Sequence, residues 1–160
     1  MSETSREDGG NPAAGAAVTL REITKDGLWP ILELKVHPHQ EKYVATNAIS
    51  IAQAHFSPEA WFRAVYADET PVGFAMLHDE PDADHVHLWR FMIGADHQGP
   101  GFGQRAIELL PEHARARPGT QRFKLSYNEG EHEPRGFYEK LGFAATGEID
   151  QGEIVMALEL

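Results

Sequence analysis

From Ala17 onward, apolar residues recur with two different periods, and the switches between them divide the chain into short strands and helices. Val18, Leu20 and Ile23 mark a first strand, ended by Thr24-Lys25-Asp26-Gly27. Asp26 and Pro30 suit a helix start, and Trp29, Leu32 and Leu34 give a short helix its buried side. After His37-Pro38-His39, the residues Tyr43, Val44, Ala48, Ile51 and Ala52 fall at near-helical spacing and predict a second, longer helix. Residues 61–67 and 72–78 read as two strands joined at Asp68-Glu69-Thr70-Pro71. Beyond a turn at residues 80–84, residues 85–93 are apolar on both alternating faces, as expected of a central strand covered on both sides.

Residues 101–116 return to a helical period, with Ile107, Leu110 and Ala114 on one side. Pro111 lies inside that run and predicts a kink or a division, because it donates no backbone hydrogen bond. Residues 122–127 make another strand, 134–141 another helix closed by Gly142, and 143–148 and 154–160 the last strands. The order β-α-α-β-β-β-α-β-α-β-β gives an α/β fold, a mixed central sheet of about six to seven strands with helices on both faces. Residues 1–16 hold no aromatic or branched aliphatic side chain, so they cannot offset their ordering entropy and are expected to form a mobile tail. Residues 17–160 are then one domain, since 160 residues support one core of ordinary size but not two.

Composition narrows the function. Hydrophobic residues at 41% and charged residues at 24% fit a soluble globular domain. No apolar run approaches the roughly 18–20 residues that span a bilayer, and no basic-then-apolar leader opens the chain, so no membrane partner is expected. Cysteine is absent, which excludes disulfides, thiolate metal sites and a Cys nucleophile and fits a cytoplasmic address. The net charge of −11, from 25 acidic against 14 basic residues, argues against nucleic acid and favours cationic ligands.

The informative segment is Phe91-Met92-Ile93-Gly94-Ala95-Asp96-His97-Gln98-Gly99-Pro100-Gly101-Phe102-Gly103. A central strand ends, a short loop follows, and glycines at alternate positions open a helix. Free backbone N–H groups at that start, with the positive end of the helix dipole, make an anion site. The dinucleotide fingerprint fails because position 104 is Gln104 and not glycine, and the P-loop fails because Gly103 is followed by Gln104-Arg105.

The spacing Gln98-x-x-Gly101-x-Gly103 resembles the Q/R-x-x-G-x-G/A signature of the GNAT superfamily of N-acetyltransferases. Downstream, Phe137-Tyr138-Glu139-Lys140-Leu141-Gly142-Phe143 resembles the F-Y-x-x-L-G-F segment of the same superfamily, and the element order matches across residues 18–160. The runs Gln40-x-x-Tyr43-Val44-Ala45-x-Asn47-x-x-Ser50 and Leu88-Trp89-Arg90-Phe91-Met92-Ile93, with the ending from Gly147-Glu148 through Gly152-Glu153-Ile154-Val155-Met156, look closest to the bacterial spermine/spermidine acetyltransferase-like branch.

This resemblance implies an acetyl-CoA-dependent transfer of an acetyl group to a primary amine of a small cationic acceptor, such as spermidine or spermine, by direct attack in a ternary complex. It implies that Phe91, Met92 and Ile93 meet the pantetheine arm. Gln98, Gly99, Pro100, Gly101, Phe102, Gly103 and Gln104 would take the pyrophosphate, with Asn128, Tyr138 and Lys140 also against the cofactor. Tyr138 matches the tyrosine that protonates the CoA thiolate, and a homodimer is a further family-level expectation.

The base is left open, because residues 85–93 carry no carboxylate: His87, Glu33, Glu41 or ordered water could serve. Glu33, Glu41 and Asn47 are candidates for the acceptor site. His37, His39, His85 and His87 are close in pairs, but a metal site usually needs about three or four ligands, so no metal is expected. The alternatives are a non-catalytic acyl-CoA-binding or regulatory domain, and an acetyltransferase for an amino acid, an aminoglycoside or a protein amine.

Overall fold

The computed structural model describes residues 10–130 and 134–160. The element order is β1 (Val18–Arg21), α1 (Leu28–Glu33), a 3-10 turn (Pro38–Tyr43), α2 (Asn47–His55), β2 (Ala60–Ala67), β3 (Thr70–His78), β4 (His85–Ile93), a 3-10 turn (Ala95–His97), α3 (Phe102–Arg115), β5 (Arg122–Tyr127), α4 (Arg135–Lys140), β6 (Ala144–Asp150) and β7 (Glu153–Glu159). The seven strands form one sheet in the order β1-β2-β3-β4-β5-β7-β6. Every neighbouring pair is antiparallel except β4 and β5, which α3 connects in parallel.

Helices cover both faces. Ile107, Leu110 and Ala114 of α3 pack with Leu77, Val86, Phe123, Leu125 and Met156, and Tyr138 and Leu141 of the α4 region join that cluster. On the other face Ile31 of α1 packs with Phe74, Met76 and Met92, flanked by Ile51 and Ala54 of α2. Among the described residues no helix is long and apolar enough to cross a membrane.

Three sequence expectations change. The predicted long second helix is two elements. His37 and Gln40 form a reciprocal cap on the 3-10 turn, Val44 is extended, and the Thr46 hydroxyl accepts from the Ile49 N–H to start α2 afresh. Pro111 does not divide α3, which runs 14 residues unbroken. Its cost of about 3 kcal/mol is offset by the burial of this face, where Ile107 and Leu110 are each worth roughly 1.5–3 kcal/mol and Pro111 and Ala114 are buried beside them. Finally, packing begins before Ala17: Ala16 is buried, and the Arg105 guanidinium donates to the Ala16 and Ala14 carbonyls at 2.6 Å each. Residues 1–9 of the expected tail lie outside the described residues.

Candidate active site

Among the described residues β4 and β5 are the one parallel pair, and the sheet opens there. β4 and β5 are in register over three residues, His85 to Arg122, Val86 to Phe123 and His87 to Lys124, and part beyond them. On the β3 side, Met76 pairs with Arg90 and Leu77 with Leu88, which leaves Trp89 as an extra, bulged residue. The bulge reverses which residues face which side. Val86 and Leu88 point to the α3 core, yet Met92 points to the α1–α2 core and Phe91 and Ile93 to the α3 side. The C-terminal half of β4 thus turns along an opening, and among the described residues its backbone on the β5 side has no strand partner.

A cleft of about 1030 Å³ fills this opening. Phe91, Met92, Ile93, Gln98, Asn128, Tyr138 and His87, all singled out from the sequence, line it. A second cavity of about 510 Å³ lies at the start of α3, lined by Gly99, Gly101, Phe102, Gly103 and Gln104. Gln40, Ile93 and Gln98 border both, so the two spaces form one path from the α3 N-terminus into the β4–β5 opening.

The cradle fits an anion. Gly99 and Gly101 sit at φ 113° and 89°, and a Cβ at either would meet nothing within 4 Å. These glycines are needed for the left-handed backbone, and the space in front of them is open. Among the described residues no side chain caps α3, which leaves its first N–H groups to a ligand. The long second arm fits the opening between β4 and β5. Coenzyme A has this shape, with a pyrophosphate at one end and an extended amide-bearing arm at the other.

Gln98 is tied into the loop before α3: its amide donates to the Ile93 carbonyl and to Gln40 Oε1, both at 2.9 Å. The Gln104 amide donates to Glu108 at 3.3 Å. Pro100 and Lys140 are exposed and line neither cavity. Asn47 is 2% exposed, and its amide donates to the Ile31 carbonyl at 2.9 Å, a tie between α2 and α1. Glu33 and Glu41 are exposed outside both cavities.

Tyr138 lies among the rings of Tyr127, Phe137 and Phe143, with centroids 5.5–6.3 Å away. Burial pushes its phenol above the ordinary value, so the hydroxyl keeps its proton through the neutral range. For His87, burial first, and then the charge of His85, hold the imidazole below its ordinary value. Asp150 and Glu153 act in the opposite sense, and His78 adds to the lowering. Arg90 also lines the cleft; it donates to Gln53 Oε1 and to the Trp89 carbonyl at 3.2 Å each.

Sequence reasoning missed the carboxylates that do reach the cleft, Asp150 and Glu153, together with Ser126. All three depend on β5 pairing with β7, a contact between distant segments that no local pattern signals. Among the described residues, no three His, Asp or Glu side chains are grouped as a metal site.

The sequence profile of the Acetyltransferase (GNAT) family matches residues 24–143. Spermine/spermidine N(1)-acetyltransferase of Bacillus subtilis (strain 168) is 30% identical over 155 residues, covering 90% of this chain and 99% of that protein. The PaiA N-acetyltransferase of Thermoplasma acidophilum in complex with coenzyme A shares the fold at TM-score 0.65 and 17% identity, over 90% of this chain and 99% of that one. A Bacillus subtilis acetyltransferase in complex with CoA does so at TM-score 0.63 and 15% identity, over 91% and 99%. By the extent of the family match and by its architecture, this chain belongs to the GNAT family of acetyltransferases.

Proposed function

We propose that this N-acetyltransferase moves an acetyl group from acetyl-CoA to a primary amine of a polyamine. What carries the acceptor assignment is the charge at the β6–β7 side of the cleft, where Asp150 and Glu153 offer counter-charges to a ligand with several ammonium groups. The spermine/spermidine acetyltransferase similar to this chain supports the same acceptor class. The net charge of −11 works in the same direction by concentrating cations near the protein.

Acetyl-CoA supplies an activated thioester and a thiolate leaving group. The chain's residues then have three tasks. The uncapped N–H groups at the start of α3 hold the pyrophosphate, and the unpaired backbone of β4 aligns the arm beside Phe91 and Ile93. The Tyr138 phenol, kept protonated by burial, donates its proton to the departing sulfur as the new C–N bond forms and the C–S bond breaks. The amine must also shed a proton, since a pKa near ~10.4 leaves it almost wholly charged at neutral pH.

Arg90 favours a second reading. Its guanidinium on the cleft wall would suit an acceptor carrying a carboxylate as well as an amine, such as an amino acid. CoA release in a panel of spermine, spermidine, putrescine, amino acids, an aminoglycoside and a lysine peptide separates the two. Spermine or spermidine should give the highest kcat/KM; a clear preference for an amino acid would overturn the polyamine assignment.

A further inference from the structure

The cleft wall carries a chain of polar side chains that links Glu153, one of the acceptor's counter-charges, to His87. Ser126 on β5 donates its hydroxyl to Glu153 Oε2 at 2.8 Å, and the Asn128 amide donates to Glu153 Oε1 at 3.3 Å. On its other side Ser126 Oγ lies 3.5 Å from His87 Nε2, at the outer limit of a hydrogen bond, as is common for catalytic contacts before substrate binds.

The chemistry of these groups fixes the direction of each bond. A carboxylate only accepts, so the Ser126 proton points at Glu153. The serine oxygen then has only lone pairs left for His87, and the histidine must present Nε2–H. Its Nδ1 therefore carries a free lone pair.

We propose that Ser126 and Glu153 are positioning residues that hold His87 as the Nε2–H tautomer, making its Nδ1 the base that takes the acceptor's proton. This rests on the acetyltransferase reading. As the amine nitrogen bonds to the acetyl carbon, its N–H bond breaks and the proton passes to Nδ1. The resulting imidazolium is balanced by the Glu153 carboxylate through Ser126. The same logic operates wherever a buried acid orients a histidine base, here with a hydroxyl between them. Three strands and one hairpin contribute the charged neighbours of His87. They are His85 on its own strand, His78 on β3, Lys124 on β5, and Asp150 and Glu153 at the β6–β7 turn, with Lys124 held by Glu148 at 3.6 Å.

Nitrogen-15 NMR of histidine-labelled protein reads the tautomer without any acceptor. The wild type should show His87 as Nε2–H above its titration. Ser126→Ala should give mixed tautomers. Glu153→Gln, whose amide can donate to Ser126 and turn the hydroxyl towards His87, should shift the ring towards Nδ1–H. With the best amine of the panel, both variants should lose at least about tenfold in kcat while the KM for acetyl-CoA stays put. The acid limb of kcat/KM should also move to lower pH in Glu153→Gln, and Ser126→Thr should restore activity. An Nδ1–H wild type, a tautomer indifferent to both changes, or unchanged kcat would overturn the proposal. Should every amine fail while the tautomers behave as stated, the acetyltransferase reading is the one that falls, and the hydrogen-bond wiring stands.

Discussion

Gln40 and Gln98 hold each other amide to amide: Gln98 Nε2 donates to Gln40 Oε1 at 2.9 Å, and Gln40 Nε2 returns a bond to Gln98 Oε1 at 3.4 Å. Gln40 Oε1 also accepts from the His37 N–H, so one side chain caps the 3-10 turn and grips the loop after β4. This pairing makes the 3-10 turn after α1 and the loop before α3 parts of one structure.

Gln98→Ala should remove the Ile93 carbonyl's side-chain donor and the acceptor of the Gln40 Nε2–H, at a cost of about 1–3 kcal/mol in stability. The loop that shapes the cradle would also loosen, and acetyl-CoA affinity should fall by about tenfold, or ~1.4 kcal/mol. Gln98→Glu should be worse for binding, because it loses the donor and adds negative charge beside a pyrophosphate. Calorimetric titration with acetyl-CoA and a melting curve check both parts. Equal affinities for the glutamate variant and the wild type would remove Gln98 from the cradle.

Gly101→Ala tests the backbone of the cradle apart from its space. The position has room for a methyl group but sits at φ 89°, so the change should cost about 1–2 kcal/mol in conformational strain. Gly101→Asn should be milder, since asparagine visits that region more readily. Acetyl-CoA affinity should follow the same order, glycine above asparagine above alanine. An alanine variant that binds as well as wild type would mean that the left-handed turn is not needed for the anion.

Tyr138→Phe keeps the ring packing against Tyr127 and Phe143 and removes only the hydroxyl. Turnover should fall by on the order of 10², while acetyl-CoA affinity changes little. The basic limb of the wild-type profile should lie above that of an ordinary phenol, because burial raises the group. Steady-state kinetics across pH decides the matter; unchanged turnover would take Tyr138 out of the reaction.

Local pattern carried the fold a long way and the site only half way. The strand at residues 85–93 was legible as a run apolar on both faces, and the turn from Gln98 to Gly103 as a glycine-rich helix start, because each of these signals is contained in a few consecutive residues. The Trp89 bulge was invisible, since it exists only in the register between β3 and β4. Glu153 was missed for the same reason: it reaches Ser126 across 27 residues only after β7 inserts between β5 and β6. The Asn47 amide, donated to the Ile31 carbonyl in the last turn of α1, was equally illegible, because that tie exists only once α1 and α2 pack.

His87 also sets a pH dependence of stability that needs no substrate. Burial, with the charges of His85 and His78, holds its folded pKa below the ~6.5 of an unfolded histidine. Between those two values the unfolded chain binds a proton that the folded one does not, so acid favours unfolding there. The contribution is intact above the unfolded value and is lost as pH falls from it through the folded value. His87→Gln removes the titration and keeps a polar side chain of similar reach. Its melting temperature should therefore drop less than that of the wild type as pH is lowered from about 7.5 to about 5. Glu153→Gln should act oppositely, because losing the nearby negative charge depresses His87 further and widens the window. Parallel pH–melting curves for the three proteins would show identical slopes if His87 were not buried in its neutral form.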